Sequence, residues 1–119
     1  MTAILATLAA GAVGAVLRFL VARTFAGRPV TAVLVVNVVG SALGGAVLGL
    51  AQLGEVSGDI RLVLLTGFCG GLTTFSTFGV ETIQLVIDGK LRVAAINVLA
   101  NVALGVGAAA VAYGMVVAG

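Results

Sequence analysis

Polar and charged residues gather in three short breaks along the chain, Arg23 to Pro29, Gly54 to Asp59 and Asp88 to Arg92. Around them run four apolar stretches, from about Ala3 to Phe25, Val30 to Leu53, Ile60 to Ile87 and Leu91 to Val117. Each is long enough for a helix across a bilayer, which takes about 20 mostly apolar residues. Connections this short join helices that run up and down beside each other, so both termini fall on one side of the membrane. The first stretch has no basic leader and carries Arg18 and Arg23 at its far end, so it reads as a retained helix rather than a signal peptide. The pattern predicts an all-α integral membrane protein, a single four-helix domain over residues 1–119.

Composition sharpens this. The chain is 61% hydrophobic and 8% charged, where soluble domains hold about 45–50% and about 25%. Eighteen glycines would weaken a water-soluble bundle, since each interior Gly costs roughly 0.5–1 kcal/mol relative to Ala. In lipid the same residue lets helix backbones approach. Gly40 and Gly44, Gly45 and Gly49, Gly11 and Gly14 with Ala15, and Gly105 with Ala109 all have the spacing for close helix packing.

With no His and a single Cys69, the usual zinc and haem sites and a Cys–His nucleophile have no ligands. No disulfide can form within one chain. Nothing here predicts an enzyme. Six basic and four acidic residues, for a net charge of +2, are too sparse for a nucleic-acid surface. Lys and Arg divide unevenly between the two sides: Arg23, Arg28, Lys90 and Arg92, with Arg18 close by, against Arg61 alone. The positive-inside rule then places the first and third loops in the cytoplasm and the termini outside.

Polar residues left at depth carry the functional signal. Asn37 and Ser41 lie four apart on one face of the second helix, as do Asn97 and Asn101 on the fourth. Buried amides need partners, so each pair faces another helix or a wet cavity. Two such pairs favour a polar pathway. The third stretch reads Gly67-Phe68-Cys69-Gly70-Gly71-Leu72-Thr73-Thr74-Phe75-Ser76-Thr77-Phe78 at what should be its centre. Gly and Thr are poor helix formers, and hydroxyls satisfy backbone groups freed by a break. A helix broken near Gly70 to Thr74 is expected, with freed carbonyls able to coordinate a cation.

Thr73, Thr77 and Glu81 are spaced four apart, as one stripe leading to a carboxylate. Phe75 and Phe78 should project together from an adjacent face. Ring edges are electropositive and can favour a small anion without any full charge. Arg18 and Glu81 are the ionisable residues well inside the predicted spans, with Glu81 expected near a pore mouth.

These motifs resemble the Fluc (CrcB) fluoride channels over essentially the whole chain. The resemblance rests on Gly14-Ala15-Val16-Leu17-Arg18, on Asn37-Val38-Val39-Gly40-Ser41 and above all on the run from Gly67 to Phe78. It implies a passive channel exporting fluoride across the bacterial inner membrane. It also implies an antiparallel dual-topology dimer with two pores and a central sodium ion (Na+). By position, the carbonyls of Gly70 and Thr73 would hold the sodium, and Phe75 and Phe78 would line the pores. Asn37, Thr74, Ser76 and Thr77 would follow the fluoride path, with Arg18 and Glu81 in the vestibule.

Two departures stand out. The resemblance would put a Tyr and a Ser four apart on the fourth helix, where this chain has Asn97 and Asn101, both still able to donate. The charge bias is also larger than dual topology suggests, which leaves open an oppositely oriented paralogue in place of a homodimer. A small multidrug-type proton-coupled exporter is the alternative of similar size. It would need an acidic residue on the first helix, and none is there.

Overall fold

The computed structural model describes residues 1–119, and every regular element is helical. Helix α1 covers Thr2–Thr24 and α2 covers Pro29–Gln52. The third span opens with α3 (Gly58–Arg61), continues through a π-helical stretch (Leu62–Cys69) into the single turn α4 (Gly70–Leu72), and resumes as α5 (Ser76–Ile87). Helix α6 covers Leu91–Ala118. Four helices are thus long and apolar enough to cross a membrane, the third being interrupted.

Local chemistry explains the ends. Pro29 begins α2, where its missing N–H leaves no helical bond unmade. Ser57 caps α3 by accepting the Ile60 amide at 3.2 Å. Gly54 and Gly89 follow α2 and α5 with φ of 76° and 77°, the left-handed backbone that closes a helix. After Gly89, the Lys90 amide reaches back to the Leu85 carbonyl at 2.8 Å, and Gly89 itself bonds Val86 at 3.0 Å.

Packing pairs α1 with the first half of the third span and α2 with α6. Glycine permits both crossings. A Cβ on Gly14 would overlap the Phe68 carbonyl, one on Gly71 the Gly11 carbonyl, and one on Gly67 would lie 2.7 Å from the Thr7 oxygen. On the other side, a Cβ on Gly45 would overlap the Ala109 carbonyl. Van der Waals contact between backbones replaces a hydrophobic core, because lipid offers no hydrophobic drive between helices.

Accordingly only 16 of 119 residues are buried within one chain, so most apolar side chains point outward. Leu8, Phe19, Leu99 and Val106 are all more than half exposed, as a surface in contact with lipid requires.

The break lies at Thr73–Phe75, toward the C-terminal end of the expected interval. Thr73 is extended (φ −81°, ψ 161°), while Gly70 keeps helical angles (φ −62°, ψ −38°). The Gly70-Gly71 pair therefore stays in the helix: Gly71 is small because the α1 backbone lies against it. The π-helical stretch just before it has no counterpart in the sequence expectations.

Candidate functional site: the broken span and its polar chain

The interruption is closed by side chains that stand in for the helix. The Thr74 amide, which would complete the next turn on the Gly70 carbonyl, donates instead to Asn37 Oδ1 at 2.8 Å. The Thr77 amide, the helical partner of the Thr73 carbonyl, donates to Thr74 Oγ1 at 3.1 Å. Both substitutions withdraw a donor from a backbone oxygen, so Gly70 and Thr73 are left with carbonyls free of their helical partners. Thr73 keeps its own place by donating through N and Oγ1 to the Cys69 carbonyl, at 3.0 and 2.9 Å.

From the break a continuous chain of amides crosses to α6. Asn37 Nδ2 donates to the Thr74 carbonyl at 3.1 Å and to Asn101 Oδ1 at 3.0 Å. Asn101 Nδ2 donates to the Asn97 carbonyl and to Asn97 Oδ1, at 2.9 and 3.0 Å. Asn97 Nδ2 then donates to Thr82 Oγ1 at 3.1 Å, and Thr82 donates to the Phe78 carbonyl at 2.7 Å. Thr74 and Asn97 are 6% and 4% exposed, so these bonds operate in a shielded interior where unpaired amides would be expensive. Of the two pairs expected from spacing, Asn37, Asn97 and Asn101 join in one network, which Thr82, not singled out by spacing, completes, while Ser41 stays outside it.

Three clefts surround this chain. One of about 300 Å³ is lined by Asn37, Ser41, Thr73, Thr74, Asn101 and Val102 together with Phe75 and Phe78. The two rings lie 5.9 Å apart with planes tilted by 50°. Phe75 is 83% exposed in the single chain. A second cleft of about 320 Å³ holds Ser41, Cys69, Gly70 and Thr73 among small residues of α2.

The largest, about 590 Å³, opens between α1 and the break. Arg18, Glu81, Thr74 and Thr77 line it with Phe25 and Val36. Glu81 Oε1 is shut off from solvent without a hydrogen-bond partner.

The stripe read as Thr73, Thr77 and Glu81 needs correcting. Four-residue spacing makes a stripe only on an unbroken helix, and the extended backbone at Thr73 turns that residue into the two smaller clefts. Thr74 takes its place beside Thr77 and Glu81 in the large one. Ser76 sits near this hydroxyl group, its Oγ 3.4 Å from Thr74 Oγ1. Arg18 and Glu81, far apart in sequence, do meet in one cleft.

No group of three or more His, Cys, Asp or Glu side chains is placed to hold a metal. The free oxygens of Gly70 and Thr73 are hard, uncharged donors, which suits an alkali cation rather than a transition metal.

Known proteins resemble the chain over most of its length. A family described as CrcB-like protein, Camphor Resistance (CrcB), matches residues 5–115. A Geobacter sulfurreducens protein named fluoride-specific ion channel FluC is 47% identical over 109 residues, covering 87% of this chain and 88% of its own. A Shewanella frigidimarina protein of the same name is 42% identical over 108 residues, 87% of each chain. One from Nocardia farcinica, named fluoride-specific ion channel FluC 1, is 45% identical over 102 residues, 82% of this chain and 69% of its own. With its interrupted third span and a match running almost from end to end, the chain belongs to the CrcB family.

Proposed function

We propose that this protein is a fluoride-specific channel that lets cytoplasmic fluoride leave passively across the bacterial inner membrane. The observation that carries the reading is the cleft in which Phe75 and Phe78 stand beside Asn37, Ser41, Thr74 and Asn101 at the broken span. Fluoride is small and strongly hydrated, and it accepts hydrogen bonds well. A pathway must replace its water with donors and ring edges, yet hold it weakly enough to release it. The names of the relatives, fluoride-specific ion channels, support the same substrate.

Two chains assemble antiparallel, with two pores between them. Support comes from the single chain itself: α5 buries no residue, and Phe75 is left uncovered. Asn37, Thr74, Ser76, Thr77, Asn97 and Asn101 belong to the wall of the path, with Asn37 also clamping the break. Arg18 and Glu81 form its vestibule. The carbonyls of Gly70 and Thr73 hold sodium at the dimer centre, where a positive charge would lower the cost of bringing anions into a low-dielectric interior.

Purified protein in liposomes tests the reading, with fluoride efflux measured against chloride. Fluoride efflux at least 100-fold faster than chloride is expected. Equal chloride flux, or none of either ion, would refute it. Single-cysteine labelling from each side of the membrane tests the assembly. Both orientations are expected for a homodimer, whereas a single orientation would require an oppositely oriented paralogue as partner.

A further inference from the structure

We propose that the hydroxyl of Ser41 is the free hydrogen-bond donor that takes the anion at the Phe75–Phe78 pair. This rests on the fluoride-channel reading and assigns one atom within it. The donor protons around the rings are nearly all engaged. Asn37 commits both amide protons, to the Thr74 carbonyl and to Asn101. Asn101 commits both to Asn97. Thr73 donates to the Cys69 carbonyl, while the Thr74 hydroxyl accepts from the Thr77 amide and has Ser76 Oγ at 3.4 Å as the partner for its own proton. Of the polar side chains lining the ring cleft, Ser41 is left with an O–H that enters no hydrogen bond in the chain.

That freedom is unusual for a helical hydroxyl. Thr7, Thr24, Thr73 and Thr82 each donate to the carbonyl four residues back. Ser41 has the same option on the Asn37 carbonyl and leaves it unused. Its Oγ points across to α6, 3.4 Å from where a Cβ on Gly105 would stand. Even a methyl at Gly105 would only reach ordinary van der Waals contact, so nothing on that helix crowds the hydroxyl. Ser41 also lines the cleft that holds Gly70 and Thr73, so it stands where the ring cleft and the carbonyl cleft adjoin. An anion passing the rings meets this donor without disturbing the amide network.

The test uses S41A, S41C and S41T reconstituted beside the unaltered protein, with fluoride efflux, chloride efflux and assembly size measured for each. A lost hydrogen bond to a charged ligand corresponds to a decrease of about tenfold or more. S41A and S41C should both lose at least tenfold in fluoride efflux while assembling normally, because Cys keeps the volume but donates poorly. S41T should stay within about threefold of the unaltered protein.

Undiminished efflux in S41A or S41C would overturn the assignment, and so would an equal loss in S41T, which would mark a packing role. Failure of the unaltered protein to carry fluoride would instead refute the channel reading itself.

Discussion

Up to Leu72 the third span is a rod pressed against α1, whereas from Ser76 to Ile87 it leans on α6 and α2 with no residue buried. The first part is held by shape: Gly67 and Gly71 admit the α1 backbone, and Gly14 admits theirs in turn. The second part is held by direction, through Asn37 at the break and the Asn97–Thr82 bond further along. Close backbone packing tolerates no added atoms and fixes the point from which α5 departs. Hydrogen bonds tolerate small changes of shape but not a lost donor or acceptor. The scaffold and the chemistry of this span are thereby divided at Thr73.

Substitutions can break that contrast. The largest effect is expected from Gly71→Leu, which drives a side chain into the Gly11 carbonyl. Loss of the folded assembly, seen as loss of a monodisperse peak in detergent, should result, since even moderate overpacking costs about 1–3 kcal/mol. Asn37→Ala comes next. It removes three hydrogen bonds and leaves the Thr74 amide without its acceptor. With each bond worth about 0.5–1.5 kcal/mol, the protein should assemble with a lowered melting temperature and lose fluoride efflux by about 100-fold.

Phe78→Ile should impair efflux about tenfold or more with assembly and thermal stability intact. Normal throughput would remove the rings from the pathway. A smaller change is expected from Thr82→Val, which keeps the shape but deprives Asn97 of its acceptor. A loss of about 1 kcal/mol in stability and efflux within about fivefold should be measured. At the low end is Gly79→Ala, since a Cβ there meets nothing of its own chain within 4 Å. A gain of up to about 1 kcal/mol in thermal unfolding, with efflux unchanged, would confirm that glycine in α5 lacks the packing duty it has in α4.

Much of this was legible in the chain. Four apolar runs separated by short polar breaks leave little choice of architecture in lipid, because each span must satisfy its own backbone. The interruption was legible too, from Gly-Gly and Thr-Thr in mid-span. Its position was not, because Gly71 looks like a helix breaker until the α1 backbone is seen against it. The Thr73–Thr77–Glu81 stripe failed for a related reason: spacing assumes one continuous helix, and Thr73 lies before the turn. Arg18 and Glu81 could be singled out as charges at depth, but their shared cleft depends on how α1 lies across the break.

The Asn pairs show the same limit. Spacing placed Asn37 with Ser41 and Asn97 with Asn101, each pair on one face of its helix. It did not place Asn37 on Asn101, nor Asn97 on Thr82, since those bonds join different helices.

By itself, the order of residues determined that this protein lives in lipid, crosses it with four helices and carries a small set of polar groups at depth. Those properties depend on hydropathy and local propensity, which are written along the chain. Tertiary structure decided which donors are engaged and which are free. Asn37 gives its protons to the break and to Asn101, and Ser41 keeps its own out of any hydrogen bond within the chain. A hydrogen bond belongs to two residues at once, so its commitment is settled only when helices distant in sequence come within about 3 Å of each other.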